Sequence, residues 1–299
     1  ISTFEDRRAD APARRGAVLD LLAADPAAKQ GVFLGITGTP GAGKSSLIGE
    51  LANRLIRNER ELCVAVLAVD PSSEVSGGAI LGDRTRVNFP LDERRLFFRS
   101  QASDRELGGV SRSTFQVARL LRYLFDMVLI ETVGIGQNEI EIQYLADRIY
   151  LVLQPLGGDG IQFMKAGIME IPDVFIINKC DEEEAAKQSF YALQAALSFV
   201  RPGEEDQIQI RMTSARTGRG LEQLAQELAL DRGIAPRRSM DQKEEYYFDK
   251  WVRDEFGRHG LRYLRTLPDG AAGYLRDTGS FDQAQSRFLK DYAPGRVPA

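Results

Sequence analysis

Between Gly31 and Arg232, short apolar runs rich in β-branched residues alternate with longer amphipathic stretches, and this pattern narrows the possible folds more than any other feature of the chain. The runs are Val32–Ile36, Cys63–Val69, Leu96–Arg99, Met127–Ile130, Ile149–Leu153, Val174–Ile177 and Ile208–Met212. Most are too continuously apolar to present one face to water, as expected of parallel strands covered on both sides. Helix candidates fall between them at Ser45–Ile56, Ser111–Leu124, Ile161–Met169, Glu183–Phe199 and Gly220–Ala229. The expected class is α/β: a mostly parallel sheet of about seven strands flanked by helices.

Outside this region the alternation stops. Arg14 to Ala24 is rich in Ala and Leu and ends at Asp25-Pro26, which predicts a helical extension. After Ile234-Ala235-Pro236 a helix is expected from about Asp241, with Tyr247, Phe248, Trp251, Val252 and Phe256 on adjoining stripes. Those stripes either pack against the neighbouring domain or form a self-association surface. Three segments are therefore expected: an N-terminal helical extension over 1–30, a nucleotide-binding domain over 31–232 and a helical C-terminal arm over 233–299.

Composition excludes several classes of function. The 39 basic and 43 acidic residues give a net charge of −4, which provides no overall electrostatic footprint for nucleic acid or anionic lipid and leaves only a local basic patch open. No apolar stretch approaches the ~20 residues needed to cross a bilayer, and no signal-peptide pattern opens the chain. A cytoplasmic protein is expected. Two cysteines and one histidine leave little for disulfides or soft-metal sites. The chain opens on Ile1 rather than Met, so residues upstream of this numbering are expected.

Gly38-Thr39-Pro40-Gly41-Ala42-Gly43-Lys44-Ser45 fits GxxxxGK(S/T), directly after an expected strand and directly before an expected helix. Such a loop cradles phosphate: the amides from Gly41, Ala42 and Gly43 through Ser45 and Ser46 curl around its oxygens. Lys44 adds a mobile charge, and the helix start adds its positive dipole end. The Ser45 hydroxyl suits Mg²⁺, which prefers hard oxygen ligands. Three acids qualify as its partners: Asp70 and Glu131 at strand ends, and Asp83 in a Gly-rich loop. Glu131-Thr132-Val133-Gly134 is similar to the DxxG element of GTP-binding proteins, whose Gly amide, here that of Gly134, senses the γ-phosphate. Asn178-Lys179-Cys180-Asp181 after the sixth run matches NKxD. An Asp carboxylate can accept two hydrogen bonds from guanine N1–H and its exocyclic amine, whereas adenine would leave it unpaired. Ser214-Ala215 follows the last run, where GTP-binding proteins place an amide against guanine O6. The expected ligands are GTP and GDP with Mg²⁺.

Three stretches go beyond a generic GTPase: Ala68-Val69-Asp70-Pro71-Ser72-Ser73, Ser76 through Arg86, and Glu131 through Gln137. Together they closely resemble the MeaB/ArgK type of G protein, the chaperones of adenosylcobalamin-dependent acyl-CoA mutases. The resemblance covers about residues 31 to 230. It implies a P-loop GTPase that docks on a mutase, gates cofactor loading and helps eject damaged cofactor. By the same resemblance Ser45, Asp70, Asp83 and Glu131 would surround Mg²⁺, and Lys44, Asp83, Glu131 and Lys165 would serve catalysis. Switch loops would hold Arg86 and Gln137, and a third switch would hold Asp159, Gln162 and Lys165. A homodimer through the C-terminal arm is also implied. No directly bound cobalamin is expected, because the lower-ligand motif DxHxxG needs a histidine and His259 stands in Arg258-His259-Gly260. The alternatives are a metallochaperone-type GTPase, for which Cys63, Cys180 and His259 are too scattered, and a P-loop kinase, against which NKxD argues.

Overall fold

The computed structural model describes residues 1–6, 8, 10–70, 92–102, 110–132, 138–155, 169–204 and 208–292, with backbone alone at 70, 102, 112 and 138–140. These residues form two compact units. One comprises Gln30–Ser111 and Leu124–Arg237; the other comprises Ile1–Lys29, Arg112–Tyr123 and Arg238–Ala299.

The first unit is built on seven parallel strands: β1 (Val32–Gly38), β2 (Val64–Asp70), β3 (Leu96–Ala102), β4 (Met127–Glu131), β5 (Arg148–Leu153), β6 (Val174–Ile177) and β7 (Gln209–Met212). Their order in the sheet is β3-β2-β4-β1-β5-β6-β7. Each falls on one of the expected runs. Burial on both faces explains why they were so apolar: every residue of β1 and of β4 is buried. Successive side chains point to opposite faces. On one face Val174 and Ile176 join Leu34, Ile36, Val64 and Val66 in a core under α3 (Lys44–Asn58). There α3 contributes Leu47, Ile48, Leu51, Ala52 and Leu55, spaced as one helical stripe. On the other face Phe175 and Ile177 pack with Leu151 and with Ala186, Leu193 and Leu197 of α6 (Glu183–Val200). Each of the Val, Leu, Ile and Phe side chains among them contributes about 1.5–3 kcal/mol by leaving water.

Between β1 and β5 the direction of winding reverses. The chain leaves β1 for β2 and β3, returns to lay β4 beside β1, and then builds β5 to β7 on the far side. Open α/β sheets bind ligands at the carboxyl ends of strands at such a point.

One helix of this unit has no counterpart in the expectations, α5 (Asn138–Leu145). Its Glu139-Ile140-Glu141-Ile142 alternates with period two, which speaks for a strand rather than a helix. The helix expected over Ile161–Met169 lies outside the described residues except for Met169. The sheet is completed by α7 (Leu221–Leu230), whose Leu221, Leu224, Ala225 and Leu228 pack in the α3 core.

The second unit is helical. It contains α1 (Ser2–Glu5), α2 (Ala11–Ala23), α4 (Arg112–Leu124, grouped through Tyr123), α8 (Met240–Thr266), α9 (Gly270–Thr278) and α10 (Phe281–Asp291). Helix α8 starts at a capping box between Ser239 and Gln242 and kinks at Gly257, where φ is 60°. The aromatic stripes expected on it are largely buried inside this unit. Tyr247 stacks on Phe115 of α4 at 4.1 Å, and Phe248 and Trp251 meet Phe288 of α10. Among the described residues, no helix is long and apolar enough to cross a membrane.

At the centre of the helical unit Asp282, 1% exposed, holds two arginines. Its carboxylate accepts from Arg15 Nε at 2.9 Å and from Arg119 at 2.7 Å. Arg15 also donates to Gln285 at 2.7 Å, and Arg119 pairs with Glu244 at 3.0 Å. Burial works against the Arg119 charge, but the carboxylates of Asp282 and Glu244 outweigh it and raise its pKa. Removing one partner of a buried pair leaves the other charge uncompensated. Asp282→Asn is therefore expected to destabilise the protein by about 3 kcal/mol, seen as a lower denaturant midpoint in the transition that reports this helical unit.

Candidate nucleotide site

The site begins where β1 ends. Gly38 has φ 146°, and a Cβ there would lie 2.0 Å from the Val152 carbonyl oxygen, so the strand can turn into the loop only at a glycine. At the far end of the loop Gly43 is left-handed, φ 83°, and supplies no side-chain cap to α3. The first-turn amides of α3 are thus not covered by a capping side chain, the arrangement suited to an anion. Lys44 is 7% exposed, and its ammonium donates to the carbonyls of Gly38 at 3.0 Å and Thr39 at 3.2 Å. Gly41, Ala42 and Ser46 lie in this same loop and first turn.

Register carries the acids to the helix start. β1 pairs with β4 so that Ile36 faces Glu131, and the Ser45 hydroxyl donates to Glu131 Oε1 at 2.8 Å. Glu131 is 5% exposed. In β2, Ala68 faces Glu131, so Asp70 ends its strand two residues farther along in the same direction. A hydroxyl and a carboxylate in contact, beside a strand that ends in a second acid, form a hard-oxygen donor set that fits Mg²⁺. Asp83, Gly134, Arg86, Gln137, Asp159, Gln162 and Lys165 lie outside the described residues, as does the side chain of Asp70.

Asn178, directly after β6, joins this loop to the segment that follows β7. Its Nδ2 donates to the Ala42 carbonyl at 2.8 Å, while Oδ1 accepts from Thr213 Oγ1 and from the Ala215 amide, each at 3.2 Å. This use of all its polar atoms explains why so buried a side chain, 1% exposed, is an amide. Lys179 is left-handed, φ 62°, and donates to Gln154 at 3.4 Å. Its Cε lies 3.7 Å from where a Cβ on Gly43 would stand, so its stem lies against that end of the loop. The Asp181 carboxylate accepts from the Ser214 hydroxyl and pairs with Arg216 at 3.2 Å. The structure thus gathers Lys44, Ser45, Glu131, Asn178, Lys179, Asp181, Ser214 and Ala215 in one unit, at the carboxyl ends of β1, β4, β6 and β7.

Thr213 and Arg216 were not legible beforehand. A threonine carries no motif of its own; Arg216 stands two residues after Ser214, and that proximity was the available signal. Cys180 has its thiol against the Ile177 carbonyl at 3.0 Å, and burial pushes its pKa up, which disfavours the thiolate a soft metal needs. Among the described residues, no three His, Cys, Asp or Glu side chains are grouped to hold a metal ion.

A family model described as methylmalonyl Co-A mutase-associated GTPase MeaB matches residues 1–255. The chain belongs to the MeaB family. A MeaB-family match of this length takes in both the nucleotide site and much of α8. Among relatives, a protein named as a GTPase in Pyrococcus horikoshii is 41% identical over 196 residues, 64% of this chain. That alignment spans 61% of the relative, so the chain covers about three fifths of its length. The GTPase ArgK of Escherichia coli is 34% identical over 236 residues, which is 77% of this chain and 71% of ArgK. A crystal structure of an LAO/AO transport system kinase superposes with a TM-score of 0.60 at 24% identity, covering 97% of this chain and 91% of that one, and shows the shared fold.

Proposed function

We propose that this chain is a GTP-hydrolysing chaperone that docks on an adenosylcobalamin-dependent acyl-CoA mutase and gates loading, protection and release of the cofactor. One observation carries the nucleotide part: the Asn178 side chain bridges the phosphate loop and the Ser214-Ala215 segment, so a phosphate cradle and the base-reading Asp181 share one rigid tie. The mutase part is supported by family membership and by the MeaB-type runs around Asp70 and Glu131.

In this reading the Gly41–Ser46 amides and Lys44 bind the phosphates. Lys44 stabilises charge on the transferred phosphoryl, exchanging its loop carbonyl partners for phosphate oxygens. Ser45 and Glu131, with Asp70 and Asp83, would hold Mg²⁺, which when bound neutralises phosphate charge. Asp181 accepts from the guanine edge while Ser214 holds it in place. Asp159, Gln162 and Lys165 would respond to the docked partner, and Arg86 and Gln137 would belong to the switch loops. Slow turnover follows for the isolated chain, because neither Arg nor Gln stands beside Gly134 in sequence as a water-positioning group.

The test is GTP turnover measured with acyl-CoA mutases added one at a time. The expected result is phosphate release accelerated about tenfold or more by the cognate mutase and by no other. Equal rates with and without every mutase would remove the docking claim.

A further inference from the structure

We propose that the hydroxyl pair Thr37/Thr132 is a latch that positions Glu131 against the phosphate loop, so that Thr37 and Thr132 are positioning residues for Mg²⁺-dependent nucleotide binding; this rests on the nucleotide reading above. Thr132 Oγ1 donates to Thr37 Oγ1 at 2.9 Å, and both residues are 1% exposed. The backbone amide of Thr132 donates to the Ile36 carbonyl at 3.1 Å. Paired register between β1 and β4 ends at Ile36 opposite Glu131. Thr132 is therefore the first residue past the ladder, and it is pinned twice, through main chain and through side chain. Its side-chain partner is the residue immediately before Gly38, where the phosphate loop opens.

The consequence lies at Glu131, whose Oε1 accepts from the Ser45 hydroxyl at 2.8 Å. Strand pairing holds Glu131 itself, opposite Ile36 of β1 and Ala68 of β2, and both ladders end at this residue. Past it, among the described residues, the two Thr132 contacts tie the backbone to β1. A buried hydroxyl pair makes a directional link of fixed length, which a methyl of equal size does not replace. Loosening by even about 1 Å at a ligand of this kind costs on the order of tenfold or more in function.

The experiment compares Thr132→Val, Thr37→Val, the double Val variant and Thr132→Ser on the full chain. The readouts are GTP turnover, the Mg²⁺ concentration that half-restores GDP retention, and GDP affinity in EDTA. Each single Val variant is expected to raise the Mg²⁺ midpoint about tenfold and to lower kcat similarly, while GDP affinity in EDTA stays within about twofold. Thr132→Ser should restore the wild-type midpoint. The double variant, which leaves no orphaned hydroxyl and so tolerates folding best, should be no worse than either single one. A wild-type midpoint in the folded double variant, additive single effects, or failure of serine to rescue would overturn the latch. A wild-type chain that binds Mg²⁺ and GDP yet does not hydrolyse GTP would sink the functional reading alone, and the Mg²⁺ midpoint would still decide the latch.

Discussion

Asp181→Asn is expected to cut affinity for GDP by about 10³ and to create affinity for xanthosine diphosphate. The carboxylate offers two acceptors, which match the guanine N1–H and exocyclic amine. The carboxamide turns one of these into a donor that faces the guanine amine, whereas xanthine carries a carbonyl oxygen there and accepts it. The folded site should survive the change. Asparagine keeps an oxygen for the Ser214 hydroxyl, and the ion pair that is lost involves Arg216, 77% exposed, so screening makes it worth little. Calorimetry with both nucleotides checks this. Unchanged preference for guanosine would show that Asp181 does not read the base.

Lys44→Ala is expected to lower kcat/KM for GTP by about 10³. The ammonium now rests on the carbonyls of Gly38 and Thr39 inside the loop. Those are neutral acceptors, so an incoming phosphate oxygen, which bears charge, is the stronger partner and draws the amine away. Single-turnover phosphate release, with thermal unfolding as a control for folding, separates lost chemistry from lost structure. A loss below about tenfold would mean that the loop amides and the metal suffice without Lys44.

What was readable in advance followed from local constraints. The seven strands could be found because burial on both faces leaves no room for polar alternation, as β1 and β4 show. The phosphate loop was readable because its backbone demands glycine at Gly38 and Gly43, and such a demand marks the sequence directly. Helix α5 escaped because its alternating Glu and Ile mimic a strand, and packing overrode that pattern. The grouping of Arg112–Tyr123 with the terminal helices was equally hidden: nothing near Arg119 points to Asp282, 163 residues away.

The sequence by itself determined the α/β class, the strand positions, the glycine-rich GxxxxGK(S/T) loop and the NKxD residue types after the sixth strand. Each of these depends on a period or spacing within about ten residues of chain. Only the tertiary structure decided that Asn178 ties the loop to Thr213 and Ala215, that Ser45 meets Glu131, that Asp282 holds two arginines, and that Thr37 and Thr132 touch. These are contacts between side chains brought together by strand order and register. The polar residue that makes such a contact looks, in the linear chain, like any other threonine, asparagine or aspartate.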